Sequence, residues 1–120
     1  MLVFNLKRVF KLRDIERPYS FLKKRGFGHM SASNFAKDKV TQPHLAHIES
    51  LCRILNCTPN DFFEWIPEEG EGAVSDAHPL NTLRREEPKS VNVLIKEVPL
   101  EKLGEVEEFI KRMNEDKSGN

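Results

Sequence analysis

Apolar side chains recur at three- and four-residue spacing through most of the first half of the chain, which is the period of a helix packed on a core. This pattern predicts five short helices, over about residues 5–12, 18–25, 29–37, 43–56 and 59–65. Short helices joined by tight turns cannot bury their apolar faces in pairs, so we expect them to share one central core.

Residues suited to helix ends stand at the boundaries of these predicted helices. Asn5 is placed to cap the first helix, and Pro18 fits the first turn of the second, where a proline loses no helical hydrogen bond. Gly26 suits the left-handed turn that ends the second helix, and Gly28 precedes the third. A cap, proline and acidic residue at Thr58-Pro59-Asn60-Asp61 predict the start of the fifth helix.

The pattern changes after Ile66. Residues 67–90 begin with an acidic, glycine-containing stretch and hold few large apolar residues, so we expect a flexible linker. Residues 91–98 fit either a strand or a helix face. Residues 100–114 predict an amphipathic helix that is too short to be stable alone in water, so segment 91–114 is expected to dimerise or to bind a partner. A disordered tail is expected over 115–120.

The charge of the chain is unevenly distributed. Lysine plus arginine equals aspartate plus glutamate overall, at 19 each, but residues 1–66 hold 11 basic and 6 acidic residues, whereas residues 67–120 hold 8 and 13. Nucleic-acid binding needs local positive charge rather than a basic chain. The first half is therefore compatible with a phosphate-binding face, although a solvated lysine-rich surface would look the same.

Several classes of function find no support in the sequence. No apolar run approaches the length of a membrane span, and the start, MLVFNLKRVF, lacks the pattern of a secretory signal, so we expect a cytoplasmic protein. Cys52 and Cys57 are then expected to be reduced thiols. His44 and His47 have no evident third metal ligand, and no catalytic motif is present. We therefore expect no metal, no cofactor and no enzymatic activity.

Residues 18–37 have the layout of a helix-turn-helix motif. An eight-residue helix is followed by Gly26 and by the apolar Phe27, and then by a second helix with small and polar residues on one face. The two helices must cross steeply, which favours glycine in the turn, and Phe27 can fill the space between them. A helix that enters the major groove needs small or polar outward side chains.

Three stretches resemble the phage-repressor and Cro type of helix-turn-helix regulator, also called the xenobiotic-response-element family: NLKRVFKLR, GFGHMSASNFAKDKV and HLAHIESLCRILNCTPNDFFEW. The resemblance implies an all-α fold with a five-helix DNA-binding domain over residues 1–66, followed by the linker and the C-terminal helix. It also implies a bacterial protein that controls transcription by binding operator DNA. The chain departs from the family pattern at Pro18, Leu22 and Lys37-Asp38, where glutamine, alanine and asparagine-glycine are common.

The resemblance also assigns roles to particular residues. It places five base-reading side chains on the third helix: His29, Met30, Ser31, Ser33 and Asn34. It places five phosphate-binding side chains around that helix: Arg17, Tyr19, Lys37, Lys39 and Thr41. An ordinary solvated helix face remains the alternative for each of them.

Two functions follow from these expectations. The first is a sequence-specific regulator of transcription, a repressor, which binds double-stranded DNA as a homodimer and reads the major groove with helix 29–37. The alternative is an antitoxin-like protein-interaction module, in which residues 91–114 bind a partner protein.

Overall fold

The computed structural model describes residues 1–118 and is mostly helical. It has six α-helices, namely α1 (Leu6–Leu12), α2 (Pro18–Lys24), α3 (His29–Ala36), α4 (Leu45–Leu55), α5 (Val91–Ile95) and α6 (Leu103–Ser118). It also has two short strands, β1 (Leu2–Phe4) and β2 (Phe63–Trp65), and four 3₁₀ helices. The chain divides into two compact units, Met1–Pro88 and a second unit that starts at Lys89.

The first unit is built around one hydrophobic core, as the spacing predicted. Apolar side chains from α1 to α4 and from the following 3₁₀ helix meet in a single buried cluster: Leu6, Val9, Phe10, Leu22, Ala32, Phe35, Ile48, Leu51, Leu55 and Phe62. Burial of these side chains is the main source of stability for helices too short to persist alone.

The first four predicted helices are present, and their ends differ from the predicted ones by at most two residues. The Asn5 Oδ1 atom accepts a hydrogen bond from the Arg8 backbone N–H at 3.1 Å, which caps α1, and Pro18 is the first residue of α2. Gly26 has a φ of 97°, in the left-handed region. Asp38 follows α3 with a φ of 58° and so takes the position where the family commonly has glycine; aspartate tolerates this conformation better than most residues.

The fifth helix and the all-α class are corrected by the structure. Residues Pro59–Phe62 form a 3₁₀ helix, which begins with hydrogen bonds between Thr58 and Asp61. The chain then becomes strand β2, which pairs antiparallel with β1 in the register Leu2↔Trp65, Val3↔Glu64 and Phe4↔Phe63. The Phe4 ring lies 5.7 Å from that of Phe62, so the pairing also adds an aromatic side chain to the core. This gain, together with the backbone hydrogen bonds of the ladder, favours a strand over a further helical turn.

Leu45 lies outside the core, although it fits the apolar spacing of α4. It is the first residue of the helix, and 83% of its surface is exposed, whereas Ile48 and Leu51 are buried. The helical period predicts on which side of α4 a side chain lies, but not whether the core is wide enough to cover it. At the first residue of α4 the side chain extends past the edge of the core.

Residues 67–88 differ from the predicted free linker. Two 3₁₀ helices form there, Gly70–Gly72 and Pro79–Leu83, and the second packs against β2. Arg85 donates hydrogen bonds to the Phe63 carbonyl at 3.2 Å and to the Asn60 carbonyl at 2.6 Å. Within the first unit, the arginine therefore attaches a segment with few apolar residues to the 3₁₀ helix Pro59–Phe62 and to β2.

The second unit is helical where the sequence left two alternatives open. Residues 91–95 form α5, and the Ser90 hydroxyl caps it by accepting from the Val93 N–H at 3.3 Å. A 3₁₀ turn, Leu100–Lys102, leads into α6, which continues to Ser118, beyond the predicted end at Asn114 and into the predicted disordered tail. Residues 119–120 of that tail lie outside the described residues.

Candidate nucleic-acid interface

Helices α2 and α3 form a helix-turn-helix with the predicted tight turn. The Phe27 N–H donates to the Leu22 carbonyl at 3.1 Å, directly after the left-handed Gly26. The Phe27 ring then packs edge-on against Phe35 of α3, with ring centroids 6.0 Å apart. Phe27 thus fills the space between the two helices and helps to fix the position of α3.

The inner face of α3 is anchored in the core, which determines the face turned to solvent. Ala32 and Phe35 are both buried. The His47 ring of α4 packs on Phe35 at 5.4 Å and near Phe27 at 5.8 Å. Sequence reasoning missed this supporting role of His47, because its spacing from His44 suggests a metal pair and no local pattern indicates contact with α3.

The five predicted base-reading residues lie on the remaining surface of α3. Met30 and Asn34 are exposed and stand four residues apart, so they lie one above the other on the same face. His29 is exposed at the first position of the helix, while Ser31 and Ser33 are half-buried at the two edges of this face. The largest outward side chain is Met30, 71% exposed.

A hydrogen bond joins two residues that the sequence assigned to different roles. The Tyr19 hydroxyl of α2 lies 2.7 Å from His29 Nδ1 at the start of α3, and the two rings meet edge to face, with centroids 5.7 Å apart. The contact connects the starts of the two helices across ten residues of chain. No spacing rule in the sequence points to it.

The other predicted phosphate-binding residues are exposed near the ends of α2 and α3. Arg17 directly precedes α2, and Lys37 directly follows α3. The Lys39 N–H donates to the Asn34 carbonyl at 3.0 Å, so the chain folds back after α3 and holds Lys39 beside its last turn. Thr41 is exposed in the loop that leads to α4.

Among residues 1–118, no three histidine, cysteine or acidic side chains lie close enough together to hold a metal ion. No helix in the described part of the chain has the length and apolar character needed to cross a membrane.

Comparison with known proteins identifies one family. The sequence model of the Cro/C1-type HTH DNA-binding domain matches residues 5–68, more than half of the chain. The matched range covers α1 to α4 and β2, and therefore the whole helix-turn-helix described above. No curated protein and no solved structure matches the chain significantly.

Proposed function

The chain belongs to the family of Cro/C1-type helix-turn-helix DNA-binding domains, and from that membership we propose that it is a sequence-specific repressor that reads the major groove of double-stranded DNA with α3. Membership of the family supports two general functions, DNA binding and transcription regulation. The choice of groove, the residues that read the bases and the direction of regulation are our proposals.

The observation that carries the proposal is the outward face of α3, which is small or polar apart from Met30 and is anchored from behind by Ala32 and Phe35. In a major groove, the Asn34 amide can make a paired contact with adenine N6 and N7. Met30 can contact a thymine methyl group, and the Ser31 and Ser33 hydroxyls can donate to or accept from most bases.

The hydrogen bond between Tyr19 and His29 supports a more specific assignment. We propose that the Tyr19 hydroxyl is the donor in this bond. A neutral histidine that accepts a hydrogen bond at Nδ1 carries its proton on Nε2. We therefore assign His29 as a donor, through Nε2–H, to an acceptor such as guanine O6 or N7. The Tyr19 hydroxyl has only one hydrogen, so while it donates to His29 it cannot also donate to a phosphate. Tyr19 is then a positioning residue for His29 rather than a phosphate ligand.

The phosphate contacts are assigned to the exposed residues at the ends of α2 and α3. Arg17 stands at the start of α2, and Lys37, Lys39 and Thr41 follow α3. Contacts to phosphate fix the register of a protein on the duplex and carry no direct sequence information. We expect these residues to contribute to the affinity for every duplex.

Selection from random duplexes, followed by sequencing, provides the preferred site and the test. Asn34→Ala is expected to weaken binding to the selected site by about 1–3 kcal/mol and to relax preference at one position, whereas Lys39→Ala should weaken all duplexes evenly. Lys102→Ala, an exposed lysine of the second unit, is the matched control. If Asn34→Ala and Lys39→Ala both bind the selected duplex like the control, the assignment of α3 is wrong.

The role of Tyr19 needs a measurement that simple loss of packing would not change. Tyr19→Phe retains the ring and removes only the hydroxyl, so the histidine proton is no longer restricted to Nε2. Nitrogen chemical shifts of the His29 ring should then show a mixture of the two neutral forms, with a smaller preference at one position of the selected site. An unchanged proton position in Tyr19→Phe would remove this role.

We further propose that the chain binds DNA as a homodimer through α6. One recognition helix covers only a few base pairs, and proteins of this type present two helices to half-sites about one helical turn apart. Leu103, Val106, Ile110 and Met113 follow the spacing of a coiled-coil seam along α6. Ile110 and Met113 of this seam are 41% and 58% exposed, so the C-terminal half of this face is open to a second copy.

The oligomeric state tests this proposal. Light scattering should detect a dimer of the full-length protein, and deletion of residues 89–120 should leave a monomer with weaker affinity for a two-half-site duplex. If the full-length protein is monomeric both alone and on such a duplex, the dimer is excluded. The alternative, an antitoxin-like module whose C-terminal segment binds a partner protein, would then be favoured.

A further inference from the structure

The two cysteines are brought together by the way α4 ends. Asn56 follows the helix in a left-handed conformation, with φ 52°, and both its N–H and that of Cys57 donate to the Cys52 carbonyl. In this type of helix end, the residue after the left-handed one folds back over the last turn, where its side chain contacts that of the residue whose carbonyl it caps. Here both of these side chains are thiols, and each is close enough to the other to affect its pKa.

We propose that Cys52 and Cys57 are an oxidation site, at which a hydroperoxide converts the two thiols into an intramolecular disulfide bond. One sulfur, as its thiolate, attacks an oxygen of the hydroperoxide; the O–O bond breaks, the sulfur becomes a sulfenic acid, and an alcohol or water leaves. The second thiol then attacks the sulfenic sulfur, forms the S–S bond and releases water. Two thiols are oxidised by two electrons, and one peroxide is reduced.

The backbone geometry places the two cysteines within the range that a disulfide bond can span. The Cys57 nitrogen lies 3.1 Å from the Cys52 carbonyl oxygen. Standard bond lengths on either side of this contact limit the separation of the two Cα atoms to about 7 Å, and disulfides span Cα separations up to about that distance. This type of helix end commonly brings the side chain of residue 57 against that of residue 52, so we expect the second step to need only rotation of the two side chains.

The surroundings of the thiols predict a slow reaction that is faster at alkaline pH. Both side chains are half-buried, and desolvation raises the pKa of Cys52 and raises that of Cys57 to about 11. Asp61 also raises both pKa values, while Arg13, the charged group at the end of α1, lowers that of Cys57. The thiolate is the reacting form, so the rate should increase as the pH rises toward these values.

The proposal is tested on the full-length protein with hydrogen peroxide as the oxidant, at several pH values between neutral and alkaline. Intact mass after alkylation of the remaining thiols should show loss of both thiols together, and peptide mapping should connect residues 52 and 57 within one chain. Dimedone, which traps sulfenic acid, should give little adduct, because the neighbouring thiol reacts first. The disulfide should also raise the thermal unfolding midpoint by a few degrees, since it covalently closes the junction between α4 and the following 3₁₀ helix.

Cys57→Ser is the matched control, because it leaves Cys52 in place without a second thiol. In this variant peroxide should give a dimedone adduct at Cys52 and no internal bond, and helical circular dichroism shows whether the variant is folded. The measurements on the parent protein are enough to support or overturn the proposal, even if the variant does not fold. Dimedone adducts on both cysteines, sulfinic acid at either one, disulfide-linked dimers, or two thiols that stay alkylatable at alkaline pH would each overturn the proposal, and none of these outcomes bears on DNA binding.

Discussion

Arg85 provides a direct test of whether residues 67–88 are part of the first unit. Its guanidinium donates to the carbonyls of Asn60 and Phe63, on either side of the buried Phe62. Hydrogen bonds from a charged donor are worth about 1.5–3 kcal/mol when protected from water. Because the side chain is half-buried and water can replace part of each bond, we expect Arg85→Ala to lower the free energy of unfolding by about 1–2 kcal/mol in total.

Thermal and urea unfolding of the 1–88 fragment, followed by circular dichroism, measures this effect. A loss of 1–2 kcal/mol in a domain of this size corresponds to a decrease of about 4–15 °C in Tm. The matched control is Arg84→Ala, because Arg84 is the neighbouring arginine and is exposed. Limited proteolysis supplies a second measurement, since loss of the bonds should make residues 67–84 easier to cut.

Two results would refute this reasoning. If Arg85→Ala and Arg84→Ala unfold alike, the two hydrogen bonds contribute no net stability. If a fragment ending at residue 66 is as stable as the fragment ending at residue 88, residues 67–88 are the free linker that the composition predicted.

Two further predictions concern the core and the thiols. Phe62 is fully buried, so Phe62→Ala should cost about 3–5 kcal/mol in urea unfolding; a cost as small as that of the exposed Met30→Ala would contradict the position of Phe62 in the core. The pKa of Cys57 is raised from 9.0 to about 11 on folding, so its contribution to stability is present below pH 9 and is lost as the pH rises through about 11. Unfolding measured between these pH values should therefore show a steeper decline for the parent than for Cys57→Ala, and equal slopes would count against the shift.

The parts of the fold that depend on neighbouring residues could be predicted from the sequence. The helical spacing of Ile48, Leu51 and Leu55 identified both α4 and its buried face, and the glycine at position 26 identified the turn. Both signals arise within a few residues of chain, where helical geometry and backbone conformation decide the outcome.

The parts that depend on distant residues could not be predicted. Strand β2 forms because β1 pairs with it, and the apolar residues at 62, 63 and 65 fit a short helix equally well. Arg85 and Tyr19 act through hydrogen bonds to residues that are not near them in sequence. The helical period was enough to place the candidate site residues on the outer face of α3. It gave no indication of the hydrogen bond between Tyr19 and His29.

The pairing of β1 with β2 has a consequence for the order of folding. The Met1 and Ile66 backbones that meet at the end of this ladder are 65 residues apart, so the pair closes a loop containing almost the whole matched domain. Closing such a loop costs chain entropy, and the stabilising contacts between the two three-residue strands form only once the loop is closed. The helices make mostly local contacts and can assemble without it. We therefore expect the sheet to be the last part of the domain to form, so substitutions in it should change the unfolding rate far more than the folding rate.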